Sequence, residues 1–144
     1  MTIVTIVNLT PHAIHVFGGG DVDTDRSRPG ALVLREGGRE PRLTLPPSGT
    51  VARAAEEGGE EDGEIAVLAD GRLYPVRVPV YRAVRFARTV DLPAPAEGVG
   101  YVVSLVTADA ARAEGRDCAD LFVPADVLRD GAGRIVGCLA LRRV

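Results

Sequence analysis

The chain of 144 residues contains no lysine and no tryptophan, and only three tyrosines and three phenylalanines. Because aromatic residues make up only 4%, the hydrophobic core has to be assembled mainly from Val, Leu, Ile and Ala. Without lysine, all 17 basic residues are arginines. The codon bias of a GC-rich genome explains this; selection for bidentate guanidinium contacts to carboxylate or phosphate is the functional alternative.

Cysteine and histidine are also scarce, with two residues of each. Cys118 and Cys138 are too few for a disulfide framework, and their spacing matches no zinc pattern. We therefore expect no metal, no cofactor and two reduced thiols in a cytoplasmic protein. The first residues lack the basic segment and apolar stretch of a signal peptide, and no apolar run reaches the roughly 20 residues of a membrane helix. No membrane partner is expected.

A net charge of −3, with acidic residues spread along the chain, argues against a nucleic-acid partner. One basic cluster with interleaved aromatic residues stands out, formed by Arg77, Arg82, Arg85 and Arg88 with Tyr74, Tyr81 and Phe86. A solvated edge strand is the simpler interpretation of this cluster. The alternative is a platform on which single-stranded nucleic acid stacks its bases.

Short β-branched segments separated by Gly, Pro and Asp dominate the chain. Residues 2–8 predict a buried strand, which the turn at 8–11 would join to a second strand in a hairpin. Asp70-Gly71 between two alternating segments predicts a type I′ hairpin, because such residues accept positive φ readily. The alanine-rich segment 107–114 predicts a helix that Thr107 could cap and Gly115 ends.

These patterns predict one compact α+β domain over residues 1–144, mostly β, with about ten short, largely antiparallel strands and one short helix near 107–114. Two segments interrupt the strands. Residues 18–30 are rich in Gly and Asp, and residues 56–64 combine glycine with closely spaced like charges. Both compositions predict exposed, mobile loops.

Polar residues that interrupt apolar strands are the candidate site residues, because burying them unpaired is costly. Asn8, Thr10 and His12 follow the first strand and could bind a ligand or position a water; local turn hydrogen bonds are the alternative. Ser104 ends an apolar strand just before the predicted helix. Backbone N–H groups there would favour an anion, unless Ser104 is only structural or a cap.

Arg116 and Asp120 lie between the predicted helix and the next strand. They could form a local ion pair, or they could face a pocket shared with Ser104. Cys118 would need a base such as His12 to act as a nucleophile, and nothing in the sequence brings the two together. No phosphate loop, dinucleotide fingerprint or nucleophile elbow is present, so no specific motif supports an enzyme.

Three segments, taken in order, resemble a family of small uncharacterised bacterial and phage proteins. They are Asn8-Leu9-Thr10-Pro11-His12, Tyr101-Val102-Val103-Ser104, and Val127-Leu128-Arg129-Asp130 followed by Gly133-Arg134-Ile135-Val136-Gly137-Cys138. The resemblance covers both ends of the chain but not residues 18–64. It implies that the segments around 8–12, 104 and 116–138 belong together, in a phage or prophage context. It implies no activity.

The sequence supports three hypotheses, in this order. The first is a non-enzymatic binding domain for a small polar or anionic ligand, nucleotide-like ligands included. The site of that domain would be lined by Asn8, Thr10, His12, Ser104, Arg116 and Asp120. The second is a protein-interaction or structural module that forms a homo-oligomer through an exposed sheet edge near Val80–Val90. The third is a small hydrolase that uses His12 with Ser104 or Cys118.

Overall fold

The computed structural model describes residues 2–24, 31–35 and 40–144. These residues form a compact, mostly β domain, and their one α-helix agrees with the predicted fold class. The elements, in chain order, are β1 (Thr5–Asn8), β2 (Ile14–Val16), a 3-10 helix (Gly19–Asp21), β3 (Val22–Thr24), β4 (Leu32–Leu34), β5 (Leu43–Leu45), β6 (Arg53–Gly58), β7 (Glu61–Ala69), β8 (Arg72–Tyr81), β9 (Val84–Val90), β10 (Val99–Val102), α1 (Leu105–Ala113), β11 (Leu121–Arg129) and β12 (Ile135–Arg143).

A mixed sheet of eight strands, which together with α1 we call the body, contains most of the buried residues. Its strand order is β1-β10-β11-β12-β2-β5, with β4 also beside β11 and β3 beside β4. β1, β10 and β11 run parallel, so the chain leaves all three toward the same edge. β2 pairs with β12 and β5 instead of β1, so the predicted hairpin between the first two strands is wrong.

Helix α1 and the parallel strands enclose the core. Val103 and Leu121 are fully buried there against Ala108 and Ala111 of the helix, whose small side chains let it lie close to the sheet. The N-cap is Ser104, not Thr107, because the Thr107 N–H donates to Ser104 Oγ at 3.2 Å. The helix therefore begins at Leu105. Within the described ranges, no helix is long and apolar enough to cross a lipid bilayer.

Residues 53–90 form one long hairpin, which we call the arm. The pair β6–β9 makes its base and the pair β7–β8 its outer part, and the Arg82 N–H donates to Glu60 O at 2.8 Å where they meet. At the tip, Asp70 and Gly71 have φ values of 53° and 72°, which confirms the predicted turn. The base of the arm packs against α1, while among the described strands β7 and β8 pair only with each other.

Residues 56–64, for which the composition predicts a loop, lie mostly in β6 and β7. Their carboxylates are exposed as expected, but cross-strand arginines offset the repulsion among them. Arg88 Nε lies 3.0 Å from Glu57 Oε1, and Arg82 Nε lies 3.3 Å from Asp62 Oδ1. The other predicted loop, at 18–30, contains the 3-10 helix and β3, and its residues 25–30 lie outside the described residues.

Candidate functional site: a groove on the body

An open groove of about 1110 Å³ crosses the body. It is slightly larger than the roughly 300–1,000 Å³ of ordinary ligand pockets. Four parts of the chain line it: residues 12–15, one face of α1, β11 and β12. Two of these parts directly follow the parallel strands β1 and β10, so the groove opens near the edge where those strands end. Ligand sites in open parallel sheets are commonly found there.

The walls of the groove are largely apolar. Leu105, Val127 and Ile135 line it and keep 62%, 40% and 63% of their surface exposed. Exposed apolar residues that lie together in this way are typical of binding surfaces. Cys138 is buried behind them, and burial raises the pKa of its thiol. A neutral thiol is a weak nucleophile, so Cys138 contributes to the apolar wall.

Charged side chains border these apolar walls. Leu105, Asp109 and Arg112 share one face of α1 because they are four and three residues apart, and Arg112 Nη1 lies 3.7 Å from Asp109 Oδ1. At the end of β12, Arg143 donates to Ala119 O at 2.9 Å and its guanidinium lies 5.1 Å from the centre of the Phe122 ring.

Arg142 also lines the groove, and it forms no ion pair with any residue that the structure describes. The charged side chains that line the groove are therefore three arginines and one carboxylate. This excess of positive charge favours an anion.

The loop after β1 holds His12 at the groove. Asn8 Nδ2 donates to His12 O at 2.8 Å and to Leu45 O at 3.0 Å, and Asn8 Oδ1 accepts from the Thr10 N–H at 2.9 Å. Thr10 Oγ1 lies 2.6 Å from the same oxygen. Asn8 is only 2% exposed, so its amide is fully used inside the protein. Asn8 and Thr10 therefore shape the loop, and His12 is the residue that reaches the groove.

Ser104 stands directly before Leu105, at the end of β10. Its hydroxyl accepts from the Thr107 N–H and lies 2.9 Å from Thr107 Oγ1. Among the hydrogen bonds of the described residues, none joins Ser104 to a histidine. Ser104 therefore positions the first turn of α1, including Leu105, at the groove.

Arg116 and Asp120 form a bidentate ion pair outside the lining of the groove. Arg116 Nη1 donates to Asp120 Oδ1 at 2.7 Å, and Nη2 donates to Oδ2 at 2.9 Å. The side chains of Arg116 and Asp120 are 11% and 12% exposed. The same guanidinium donates to Asp117 O and Pro93 O, each at 2.8 Å. The hydrogen bond to Asp120 is the main reason that the pKa of Arg116 is raised. This pair ties the segment before β11 to the segment before β10.

Of the predicted site residues, only His12 lines the groove. Asn8, Thr10 and Ser104 position segments that line it, while Arg116 and Asp120 pair with each other outside it. Sequence reasoning missed Arg112 and Arg142. The four- and three-residue spacing of Leu105, Asp109 and Arg112 could have revealed the helix face, but only if the helix had been predicted to begin before Thr107. Nothing local distinguishes Arg142 from the other arginines.

Cys118 keeps its thiol in a local contact, with Sγ 3.2 Å from Arg116 O. In the part of the chain that the structure describes, no three His, Cys, Asp or Glu side chains are grouped closely enough to hold a metal ion.

Comparison with family models, with curated proteins and with solved structures finds no match to this chain.

Proposed function

We propose that the chain binds a small anion with an apolar body, and that the groove is its site. The observation that supports this proposal is the combination of exposed apolar walls at Leu105, Val127 and Ile135 with Arg112 and Arg142 beside them. Nucleotide-like ligands belong to this class, as do acids with an aromatic or aliphatic body. We favour binding over the hydrolase that uses His12, because neither Ser104 nor Cys118 is hydrogen-bonded to a histidine among the described residues.

Each part of the groove contributes differently to binding. The apolar body would cover the three exposed side chains, which stabilises the complex by roughly 25 cal/mol for each Å² removed from water. The carboxylate, sulfonate or phosphate would accept hydrogen bonds from Arg142 and Arg112, since a guanidinium suits planar, bidentate recognition. His12 would contact the ligand from the opposite wall, held there by Asn8 and Thr10.

Of the six residues in the sequence hypothesis, the proposal keeps only His12 as a ligand contact, and Asn8, Thr10 and Ser104 position the lining instead. Arg116 and Asp120 pair with each other, so we assign them to the stability of the body and not to the ligand. The phage or prophage context and the cytoplasmic location stay predictions that the groove does not address.

Two fluorescent probes test the proposal: anilinonaphthalene sulfonate and its uncharged relative phenylnaphthylamine. The first has an anionic head on an aromatic body, and the second has the same body without the sulfonate. We expect Arg112→Gln/Arg142→Gln to weaken binding of the sulfonate by roughly tenfold while barely changing binding of the neutral probe. Ile135→Asp should weaken binding of both.

Controls distinguish the groove from other exposed surfaces. Arg53→Gln removes an exposed arginine outside the groove and should leave both affinities unchanged. Ile3→Glu changes an exposed apolar residue outside both the groove and the arm, and it should also leave both affinities unchanged. Equal binding of the sulfonate to the Arg112→Gln/Arg142→Gln variant and to the unmodified chain would contradict the proposal.

A further inference from the structure

The outer part of the arm exposes more apolar surface than a two-stranded hairpin can keep in water. β8 has ten residues, which at about 3.3 Å per residue extends it by roughly 30 Å. Isolated two-stranded hairpins are marginally stable in water, and independent stability usually needs further strands or packing of an apolar face against another element. Large apolar residues with at least 40% of their surface exposed are numerous in β7 and β8: Ile65, Leu68, Leu73, Tyr74, Val76, Val78 and Tyr81.

One face of the arm is almost entirely apolar. Successive residues of a strand alternate between faces, so Tyr74, Val76, Val78 and Val80 of β8 share one face. Ile65 lies directly opposite Val78 and therefore joins them. We call these five residues the apolar face. Ile65 and Val76 are 51% and 56% exposed, so no described part of the chain covers it.

The edges of the arm are poorly suited to adding another strand. Pro75 and Pro79 have no N–H to donate from β8, and proline in a strand belongs where its nitrogen faces an open edge. On β7, register shifts interrupt the ladder between Glu61 and Glu64 and again between Ala66 and Leu68. Prolines and bulges of this kind protect an edge from pairing. The sequence hypothesis of a contact at a sheet edge near Val80–Val90, mostly β9, stays a prediction; for the outer part of the arm we favour the face.

Charge in the arm is divided between its outgoing and returning segments. The outgoing segment 53–69 has six carboxylates and one arginine, and the returning segment 72–90 has five arginines and no carboxylate. Within the arm, Glu57 pairs with two arginines of β9, and Asp62 pairs with Arg82.

Six charged residues of the outer part form no ion pair with a residue that the structure describes: Glu60, Glu61, Glu64, Asp70, Arg72 and Arg77. Strand alternation places Glu60 and Arg72 on the side of the apolar face, at its opposite ends. Glu60 lies at the base end, where its carbonyl oxygen accepts from the Arg82 N–H, and Arg72 lies at the tip, opposite Ala69. A second arm running in the opposite direction would place Arg72 near Glu60 twice, once at each end.

We propose that a second copy of this chain covers the apolar face, with two arms packed face to face and antiparallel about a two-fold axis. The axis passes near Val76 and Val78, so that each valine packs against the other arm. An isologous contact of this kind is self-complementary, as the opposite charges at tip and base require. The groove lies on the body, so arm pairing and ligand binding are separate properties.

Sedimentation equilibrium of the full chain tests the pairing. We expect a concentration-dependent dimer. Val76→Glu/Val78→Glu should raise its dissociation constant by roughly a hundredfold, because central apolar residues dominate such contacts. Ile3→Glu is the matched control, since Ile3 is 91% exposed and lies outside the arm. An unchanged circular dichroism spectrum would show that the arm variant is folded.

A charge exchange tests the antiparallel arrangement. Arg72→Glu and Glu60→Arg should each weaken the dimer roughly tenfold, and an equimolar mixture of the two variants should recover it, because the opposite charges meet again at both ends. Glu97→Arg, in the exposed segment before β10, should have no effect.

Three results would overturn the proposal. The first is a chain that stays monomeric at every accessible concentration. The second is a dimer that Val76→Glu/Val78→Glu leaves intact, which would place the contact outside the apolar face. The third is a mixture of charge variants as weak as its components, which would exclude the antiparallel arrangement.

Discussion

The body and the arm differ in how much of their apolar surface they bury. The body buries Val103, Leu121 and Leu128 completely, between strands that come from both ends of the chain. The arm is built from neighbouring segments that pair locally, and it leaves Val76 and Leu73 more than half exposed. Burial therefore stabilises the body from within, while the arm depends on its attachment to α1 and, in our proposal, on a second copy.

The largest expected difference between the body and the arm is in the stability lost when a leucine is truncated to alanine. Leu121→Ala removes a fully buried side chain from the core and should lower the free energy of unfolding by about 2–5 kcal/mol. Leu73→Ala makes the same chemical change where 69% of the residue is exposed, and it should cost less than about 0.5 kcal/mol. Urea denaturation at a concentration that keeps the chain monomeric measures both. Similar losses for the two variants would mean that the arm is packed against the body.

A smaller difference in stability between the body and the arm is expected when an ion pair is removed from each. Asp120→Asn leaves the Arg116 guanidinium without its carboxylate at a site where both side chains are nearly buried, so we expect a loss of about 1–3 kcal/mol. Glu57→Gln removes the partner of Arg85 and Arg88 on the arm, where those arginines are 79% and 68% exposed, and should cost less than about 0.5 kcal/mol. Thermal unfolding of the two variants at neutral pH makes the comparison. If Asp120→Asn unfolded at the temperature of the unmodified chain, the pair would contribute nothing to the body.

The two regions also differ in how far they can be predicted from the sequence. The hairpin at Asp70-Gly71 was predictable, because the turn and its two strands are adjacent and the turn needs positive φ. The strands at 56–64 were not, because the arginines that compensate their carboxylates lie 20 to 31 residues further on, beyond any local pattern. Local charge repulsion predicts a loop only when no partner strand supplies the opposite charge.

In the body, the decisive pairings are distant. β1 pairs with β10 more than ninety residues later, so the hairpin favoured by the turn at 8–11 does not form. Asn8 shows why: its side chain binds the carbonyl of His12, which fixes the turn without a ladder between the flanking strands. The groove depends on the same long-range pairing. His12, Leu105 and Arg142 line the same groove only after β1, β10 and β12 have paired in the sheet. Local patterns in the sequence could therefore predict only the polar turns near the groove, at 8–12 and 104.

The smallest expected effect lies where the two regions join. Thr89, on β9 at the base of the arm, donates both its N–H and its hydroxyl to the Glu114 carboxylate that follows α1. These bonds lower the pKa of Glu114 below its ordinary value of 4.5. A depressed pKa in the folded state means that the contact stabilises the junction above pH 4.5 and is lost as the pH falls through the folded-state pKa.

Hydrogen exchange measures this loss at the Thr89 amide, after correction for the intrinsic pH dependence of exchange. We expect protection to fall by on the order of a few-fold on acidification, because a single exposed hydrogen-bonded contact contributes little. The amide of Val123, in the centre of the body, should keep its protection over the same range. Glu114→Gln retains an oxygen that can accept from Thr89 but cannot titrate, so it should abolish the acid-induced change at Thr89. If the change persisted in that variant, acid would be loosening the arm through its other carboxylates, and the attachment to α1 would not be the pH-sensitive link between arm and body.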